Sequence, residues 1–329
     1  MTIRALLAAL LLFAMAGAAR AGDVGFTEVR VANGADTPLV VGIWYPTRDK
    51  TAPTPLSAFV QDVAPGGAVA GEHLALIVMS HGNGGWYGEH YDTALALARA
   101  GFVVAAVSHT GDTYDDQSRA TRMVDRPAAL RRLVDYMTGE WAERARLDPR
   151  RIGAFGFSSG GFTVLAAIGG NADFSLIPAH CQEHPAYYDC GLLKAHPQGG
   201  AAIIAAARAQ VWPHDARIRA AVVAAPALGF TFGREGLKDI HVPVQLWRAE
   251  NDHVLPHPLY AEAVRANLPT PPEFHLAPGA DHFDFLAPCT ARLAQAAPAI
   301  CTSAPGFDRA AFHAAFDAAV VGFFERTLR

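Results

Sequence analysis

Ser158 stands inside Gly156-Phe157-Ser158-Ser159-Gly160, a G-x-S-x-G pattern. A serine hydroxyl is a poor nucleophile until it is lifted clear of the chain and set beside a base. A sharp strand-to-helix turn does the lifting. Side chains two residues before and after the serine would collide in such a turn, so glycine is needed at both places. That spacing selects Ser158 over its neighbour Ser159. The chemistry such a turn serves is acyl transfer, which also needs an acid and a histidine further along the chain. Glu250-Asn251-Asp252-His253 follows one apolar run, and Ala280-Asp281-His282-Phe283 follows another. Chain order assigns Asp252 as the acid and His282 as the base, with Glu250 and Asp281 as rival acids. His253, His257 and His275 are the rival bases. A tetrahedral intermediate further requires two N–H donors for its oxyanion. One is expected from the backbone of Ser159. The other is expected from the backbone of Asn83, in the glycine-rich stretch His81-Gly82-Asn83-Gly84-Gly85.

Buried strands must carry these groups. Leu74–Met79, Phe102–Val107, Ile152–Phe157, Ile218–Ala225, Val242–Trp247 and Glu273–Leu276 are short apolar runs. Unbroken apolar runs are the mark of strands covered on both faces of a parallel sheet. Helical segments alternate with them: Tyr91–Ala100, Arg126–Met137, the stretch after Gly161, Leu259–Ala266 and a C-terminal helix. In that last helix Phe312, Phe316, Val320 and Phe323 recur at helical spacing, which predicts core packing. The alternation predicts an α/β fold with a mostly parallel, doubly wound sheet, and ligands bind such sheets at the carboxyl ends of their strands. Val24–Val31 and Pro38–Tyr45 flank Asn33-Gly34, a hairpin signal that would add an antiparallel edge. Pro46–Glu72, rich in Pro, Gly and Ala, reads as an irregular surface connection. Residues 171–215 interrupt the alternation and read as an insertion over the site.

The N-terminus has the features of an export signal. Arg4 precedes an apolar run from Ala5 to Ala16, and Ala19-Arg20-Ala21 fits the small-x-small cleavage rule. Residues 1–21 are therefore expected to be a signal peptide and 22–329 one domain, periplasmic or secreted. The apolar run is shorter than the roughly 20 residues a bilayer span needs, so no stable membrane anchor is expected. The formal net charge is −4 and no basic run occurs, which argues against nucleic acid as a partner. The four cysteines are Cys181, Cys190, Cys289 and Cys301. Export favours disulfides, and nearest-neighbour pairing, Cys181–Cys190 and Cys289–Cys301, closes two short loops. The C-x₂₋₄-C spacing of a zinc site is missing, and neither metal nor cofactor is expected. Oligomeric state leaves no mark on the sequence.

Several segments together resemble the α/β-hydrolase superfamily, and more narrowly its dienelactone-hydrolase-like group with the bacterial relatives of platelet-activating-factor acetylhydrolase. They are Ile43-Trp44-Tyr45-Pro46, Ser80-His81-Gly82, Val107-Ser108-His109, Arg126-Pro127, Gly156 to Gly161, Asn251-Asp252 and Ala280-Asp281-His282-Phe283. The resemblance implies a nucleophile, acid and base at Ser158, Asp252 and His282, as the residues themselves do. It implies hydrolysis of a small-molecule ester. Dienelactone hydrolases proper use cysteine where this chain has serine, so the resemblance does not extend to dienelactone as substrate. A serine peptidase of the oligopeptidase type and a non-catalytic binding protein on the same fold are the alternatives. The first usually carries a propeller domain for which this chain has no room, and the second typically loses a triad residue. Trp86 and Tyr87 after the glycine-rich stretch, and Phe283 after the base, are expected to line an apolar substrate mouth. Phe285, Tyr187, Tyr188 and Trp212 are further aromatic candidates. An apolar or aryl ester is the expected substrate, with rates rising as the acyl chain lengthens from acetyl toward hexanoyl.

Overall fold

The computed structural model describes residues 22–196 and 212–329. The expected signal segment, 1–21, and the part 197–211 of the expected insertion lie outside the described residues. Five strands expected from sequence appear in order: Leu74–Ser80 (β5), Val103–Ser108 (β6), Leu147–Phe157 (β7), Ile218–Ala224 (β8) and Val244–Ala249 (β9). Glu273–Ala277 (β10) completes a parallel block in the order β10-β9-β8-β7-β5-β6. In β5, β6, β8 and β9 the side chains face core on both sides of the sheet, which is why these runs are mostly apolar rather than alternating, whereas β10 at the edge is largely exposed or half-buried.

Beyond β6 the sheet changes character. Asp23–Asn33 (β1) and Asp36–Thr47 (β2) form the expected hairpin across Asn33-Gly34, and β2 pairs antiparallel with β6. The expected irregular connection is instead a second hairpin, Ala52–Leu56 (β3) and Phe59–Pro65 (β4). It extends the sheet through β1, so the first hairpin is not the edge. Proline lacks the N–H a central strand needs. Pro53 and Pro55 are tolerated because β3 is the outermost strand, with one side of its backbone unpaired.

Helices cover both faces. Asp125–Gly139 (α2) and Ser159–Ala167 (α3) bury Leu130, Leu133, Val134, Phe162 and Leu165 against one face. Tyr91–Arg99 (α1) and the C-terminal helix Arg309–Thr327 bury Leu95, Leu97, Phe316, Val320 and Phe323 against the other. The aromatic stripe of the last helix is core, as its spacing predicts. Ile177–Glu183 (α4) and Tyr188–Ala195 (α5) belong to the insertion. The Cys181–Cys190 disulfide joins them, and Cys289–Cys301 staples the turn before the C-terminal helix. Both are the pairings expected from the cysteine spacing.

Candidate active site

The turn at Ser158 is as tight as the glycine pattern requires. Ser158 has φ 55° and ψ −117°, a left-handed backbone that a serine adopts only where its surroundings enforce it. A Cβ on Gly156 would sit 2.1 Å from the carbonyl oxygen of Gly160, and one on Gly160 would sit 1.8 Å from that of Ser80. No side chain fits at either place. The turn is pinned by its own backbone: Ser158 N–H donates to Ala224 O at 2.9 Å, and Ala227 N–H donates to Ser158 O at 2.9 Å.

His282 and Asp252 leave the carboxyl ends of β10 and β9 and reach the same point. The Ser158 hydroxyl lies 3.0 Å from His282 Nε2, and His282 Nδ1 lies 2.9 Å from Asp252 Oδ2. An ionised carboxylate only accepts, so Nδ1 carries the ring proton and Nε2 is left to accept from the serine. Asp252 Oδ1 is held by the backbone N–H groups of Val254 and Leu255, at 3.1 and 2.6 Å. All three side chains are buried. The rivals have other partners. Asp281 accepts from the His253 ring at 2.9 Å and caps the turn that carries His282. Glu250 accepts from Gly279 N–H at 2.8 Å, and His275 stacks on Trp247.

The glycine-rich loop is shaped by carboxylates. Glu89 Oε1 accepts from Gly82 N–H at 2.6 Å, and Asp112 Oδ1 accepts from Gly84 N–H at 2.8 Å. The Asn83 side chain donates to Asp112 Oδ1 at 2.7 Å and accepts from the Tyr188 hydroxyl at 2.6 Å. Among the described residues the Asn83 N–H between them has no acceptor, and neither does Ser159 N–H at the start of α3. Under the loop, Arg126 is fully enclosed. It donates to Asp112, to the backbone oxygen of His81 and to Thr163 Oγ1. Burial, with Arg126 nearby, pushes His81 down to about 4. His81 is therefore neutral: Nδ1 donates to Gly82 O and Nε2 accepts from His109 N–H.

A cavity of about 280 Å³ opens at the serine. Asn83, Trp86, Ser158, His282 and Phe283 line it, joined by Phe59 from the second hairpin and by Leu293 and Ile300 from the stapled turn. Trp86 and Phe283 are thus where the sequence expects them. Tyr87 is not. Its ring is buried against Trp44 and over Gly42, and its hydroxyl donates to Glu28 at 2.6 Å. It props the first hairpin, lying edge-on to Trp86 with ring centroids 4.9 Å apart while only Trp86 lines the cavity. Phe285 is core beside Phe316. Trp212 packs on Phe162 and Phe174, and Tyr187 stacks on His184. Of the three aromatic candidates in the insertion, only Tyr188 reaches the cavity. The hairpin residue Phe59 and the stapled residues Leu293 and Ile300 lie far from any motif, and no sequence signal marks them.

His180, Asp189 and Cys190 form the one close group of metal-ligand types among the described residues. The Cys190 sulfur is in a disulfide, and His180 and Asp189 share the hydroxyl of Tyr260 at 3.1 and 3.0 Å. Their donors are already engaged, so the group does not fit a metal.

No protein-family model matches the chain, and no curated protein matches it. Among solved structures it is similar to a ferulic acid esterase from Streptomyces cinnamoneus, with a TM-score of 0.65 and 20% identity over 96% of this chain and 92% of that one. At that identity the likeness speaks for architecture: the chain has the α/β-hydrolase fold.

Proposed function

We infer that this chain is an exported serine carboxylester hydrolase that works through an acyl-enzyme on apolar or aryl esters. The observation that carries the reading is the continuous hydrogen-bonded line from Ser158 through His282 to Asp252, beside two backbone N–H groups that have no acceptor among the described residues. The esterase named among the solved structures supports the class of reaction. In the first half, Ser158 Oγ bonds to the ester carbonyl carbon while its proton passes to His282 Nε2. The carbonyl oxygen becomes an oxyanion held by the N–H groups of Asn83 and Ser159. Asp252 keeps the ring oriented and stabilises its charge. The carbon–oxygen bond then breaks, and His282 returns the proton to the departing alcohol. In the second half a water attacks the acyl carbon and gives a proton to His282 Nε2; as the bond between the acyl carbon and Ser158 Oγ breaks, His282 passes that proton to Oγ, and the acid leaves with Ser158 restored. The apolar walls of the cavity support an apolar or aryl substrate. The two disulfides support an oxidising compartment, and no described helix is long and apolar enough to cross a membrane.

The test is labelling with a serine-directed phosphonate, read by intact mass and peptide mapping, alongside turnover of p-nitrophenyl acetate and of a peptide p-nitroanilide. The expected result is one label on Ser158, lost in Ser158→Ala, with the ester turned over and the anilide not. A label on Ser159, or one that survives Ser158→Ala, would overturn the reading.

A further inference from the structure

Ser158 faces two cavities, not one. The larger, about 280 Å³, contains His282 in its wall; the smaller, about 40 Å³, contains Ser158 and Ser159 but not His282. Tyr188 lines both, standing between them with its hydroxyl on Asn83 Oδ1 at 2.6 Å. The wall of the small cavity is mostly apolar, with Met123, Ile177, Leu192 and Leu255, and also holds Thr121 and Asp189.

The chemistry decides which half of an ester goes where. Four groups surround the tetrahedral carbon: Oγ of the serine, the oxyanion, the acyl substituent and the departing alcohol oxygen. The alcohol oxygen takes its proton from His282 Nε2, so the alcohol must lie on the side where that atom is exposed. That is the large cavity. The acyl substituent is left with the small one. We propose that Tyr188 is a partition that divides the site into a short acyl subsite under α4 and α5 and a long apolar leaving-group subsite running toward Phe59, Leu293 and Ile300. The substrate class is then an ester of a short acid with a bulky apolar or aromatic alcohol. This rests on the reading of Ser158 as nucleophile. It also moves the length dependence expected from the aromatic residues off the acyl chain and onto the alcohol.

Two substrate series separate the halves. Alkyl acetates from ethyl to hexyl differ little in leaving-group reactivity, so kcat/KM along them reads the alcohol subsite. p-Nitrophenyl esters from acetate to hexanoate share one leaving group, so they read the acyl subsite. Each fully buried methylene multiplies kcat/KM by roughly fourfold. The alkyl acetate series should therefore rise more than tenfold, and the p-nitrophenyl series should fall more than tenfold. Tyr188→Ala joins the two cavities and should raise the hexanoate-to-acetate ratio at least tenfold. Tyr188→Phe keeps the ring but loses the bond to Asn83, and should leave that ratio within twofold of the starting protein. Leu293→Trp fills the far arm and should lower the hexyl-to-ethyl acetate ratio at least fivefold without moving the hexanoate-to-acetate ratio. A p-nitrophenyl series that rises with acyl length while the alkyl acetates stay flat would overturn the assignment, as would a Tyr188→Ala ratio that does not move. Absence of turnover in both series would instead sink the esterase reading itself.

Discussion

Two buried polar networks flank the Ser158–His282–Asp252 line, and they are built differently. One lies under the glycine-rich loop that offers Asn83. There Arg126 and Asp112 are both almost fully enclosed and face each other directly, and the loop's N–H groups hang from Asp112 and Glu89. The other lies under the turn that offers His282. There Asp284 accepts from Asp281 N–H at 2.8 Å and from Arg309 Nε at 3.0 Å, with Ser303 alongside. His313 donates to the Asp284 backbone oxygen at 2.9 Å, and its other ring nitrogen lies 2.7 Å from Asp92. Asp317, held by Thr93, completes that cluster. In the first network one carboxylate oxygen, Asp112 Oδ2, has Arg126 as its sole partner among the described residues. In the second, both oxygens of Asp284 have a donor besides Arg309, from Asp281 N–H and the Ser303 hydroxyl.

That difference predicts unequal damage. Arg126→Met leaves Asp112 buried without its counter-ion, and breaking a buried pair from one side costs about 3–5 kcal/mol. Urea unfolding should show that loss, and kcat should collapse with it because the Asn83 N–H is no longer held. Arg309→Met leaves Asp284 with its backbone and serine donors, so the loss should be nearer ~2 kcal/mol, the scale of a hydrogen bond to a charged group. Equal losses from the two substitutions would erase the distinction.

A milder change sharpens the same point. Asp112→Asn keeps the shape but removes the charge that orients Asn83, Gly84 and Arg126. Losing an oxyanion donor outright costs about 10²–10³ in kcat, so a donor left in place but loosely aimed should cost roughly tenfold. KM should stay within about twofold, because a donor to the oxyanion acts on the transition state more than on bound substrate. A rise in KM with kcat unchanged would mean that the loop shapes the cavity rather than the donor.

Neither network is visible in the sequence. That Ser158, Asp252 and His282 meet was legible because each follows a run of apolar residues, and because a sheet puts the ends of its strands together. The elbow was legible because its glycines answer a steric demand that acts over five residues. Asp112, Arg126 and Glu89 meet from three separate loops and helices, and no spacing rule connects them; only the family resemblance drew attention to Arg126. The β3–β4 hairpin was missed because its prolines argue against a strand, and they stop doing so only at the outer edge of a sheet. Tyr87 follows Trp86 in sequence, but adjacency in sequence does not carry a ring into the cavity. The insertion was legible as an interruption, but not which of its rings reaches the serine. Two adjacent tyrosines part there: Tyr188, partly exposed, lines the cavity, while Tyr187 stacks on His184, and no spacing rule tells which does which.

A last expected effect separates the two networks by pH. Burial, with Arg126 beside it, holds His81 near 4, and burial holds His109 well below its usual range. The unfolded chain takes up those protons from about pH 6.5 downward while the folded chain refuses them. The stabilisation is therefore complete above about 6.5 and is lost as pH falls toward 4. Asp317 has the opposite sign. Burial, and the Asp92 carboxylate next to it, raise it to about 7. The folded chain keeps this proton between about 4 and 7 while the unfolded chain gives it up, so its stabilisation is complete at low pH and is lost as pH rises through 7. The two contributions overlap and partly cancel, which flattens the stability profile of the intact protein. Asp317→Asn removes the alkaline penalty but keeps an oxygen for the Thr93 hydroxyl. It should gain on the starting protein by on the order of 2 kcal/mol between pH 5 and pH 8, a figure reduced for the partial exposure of Asp317. Its acid limb should steepen, since only the histidine contribution remains. His109→Gln should do the reverse and flatten that limb. Urea unfolding of the three proteins at half-unit pH intervals checks this. If both substitutions shift the slope in the same direction, the network under the base does not hold a proton at neutral pH, and the contrast between the two sides of the site reduces to geometry alone.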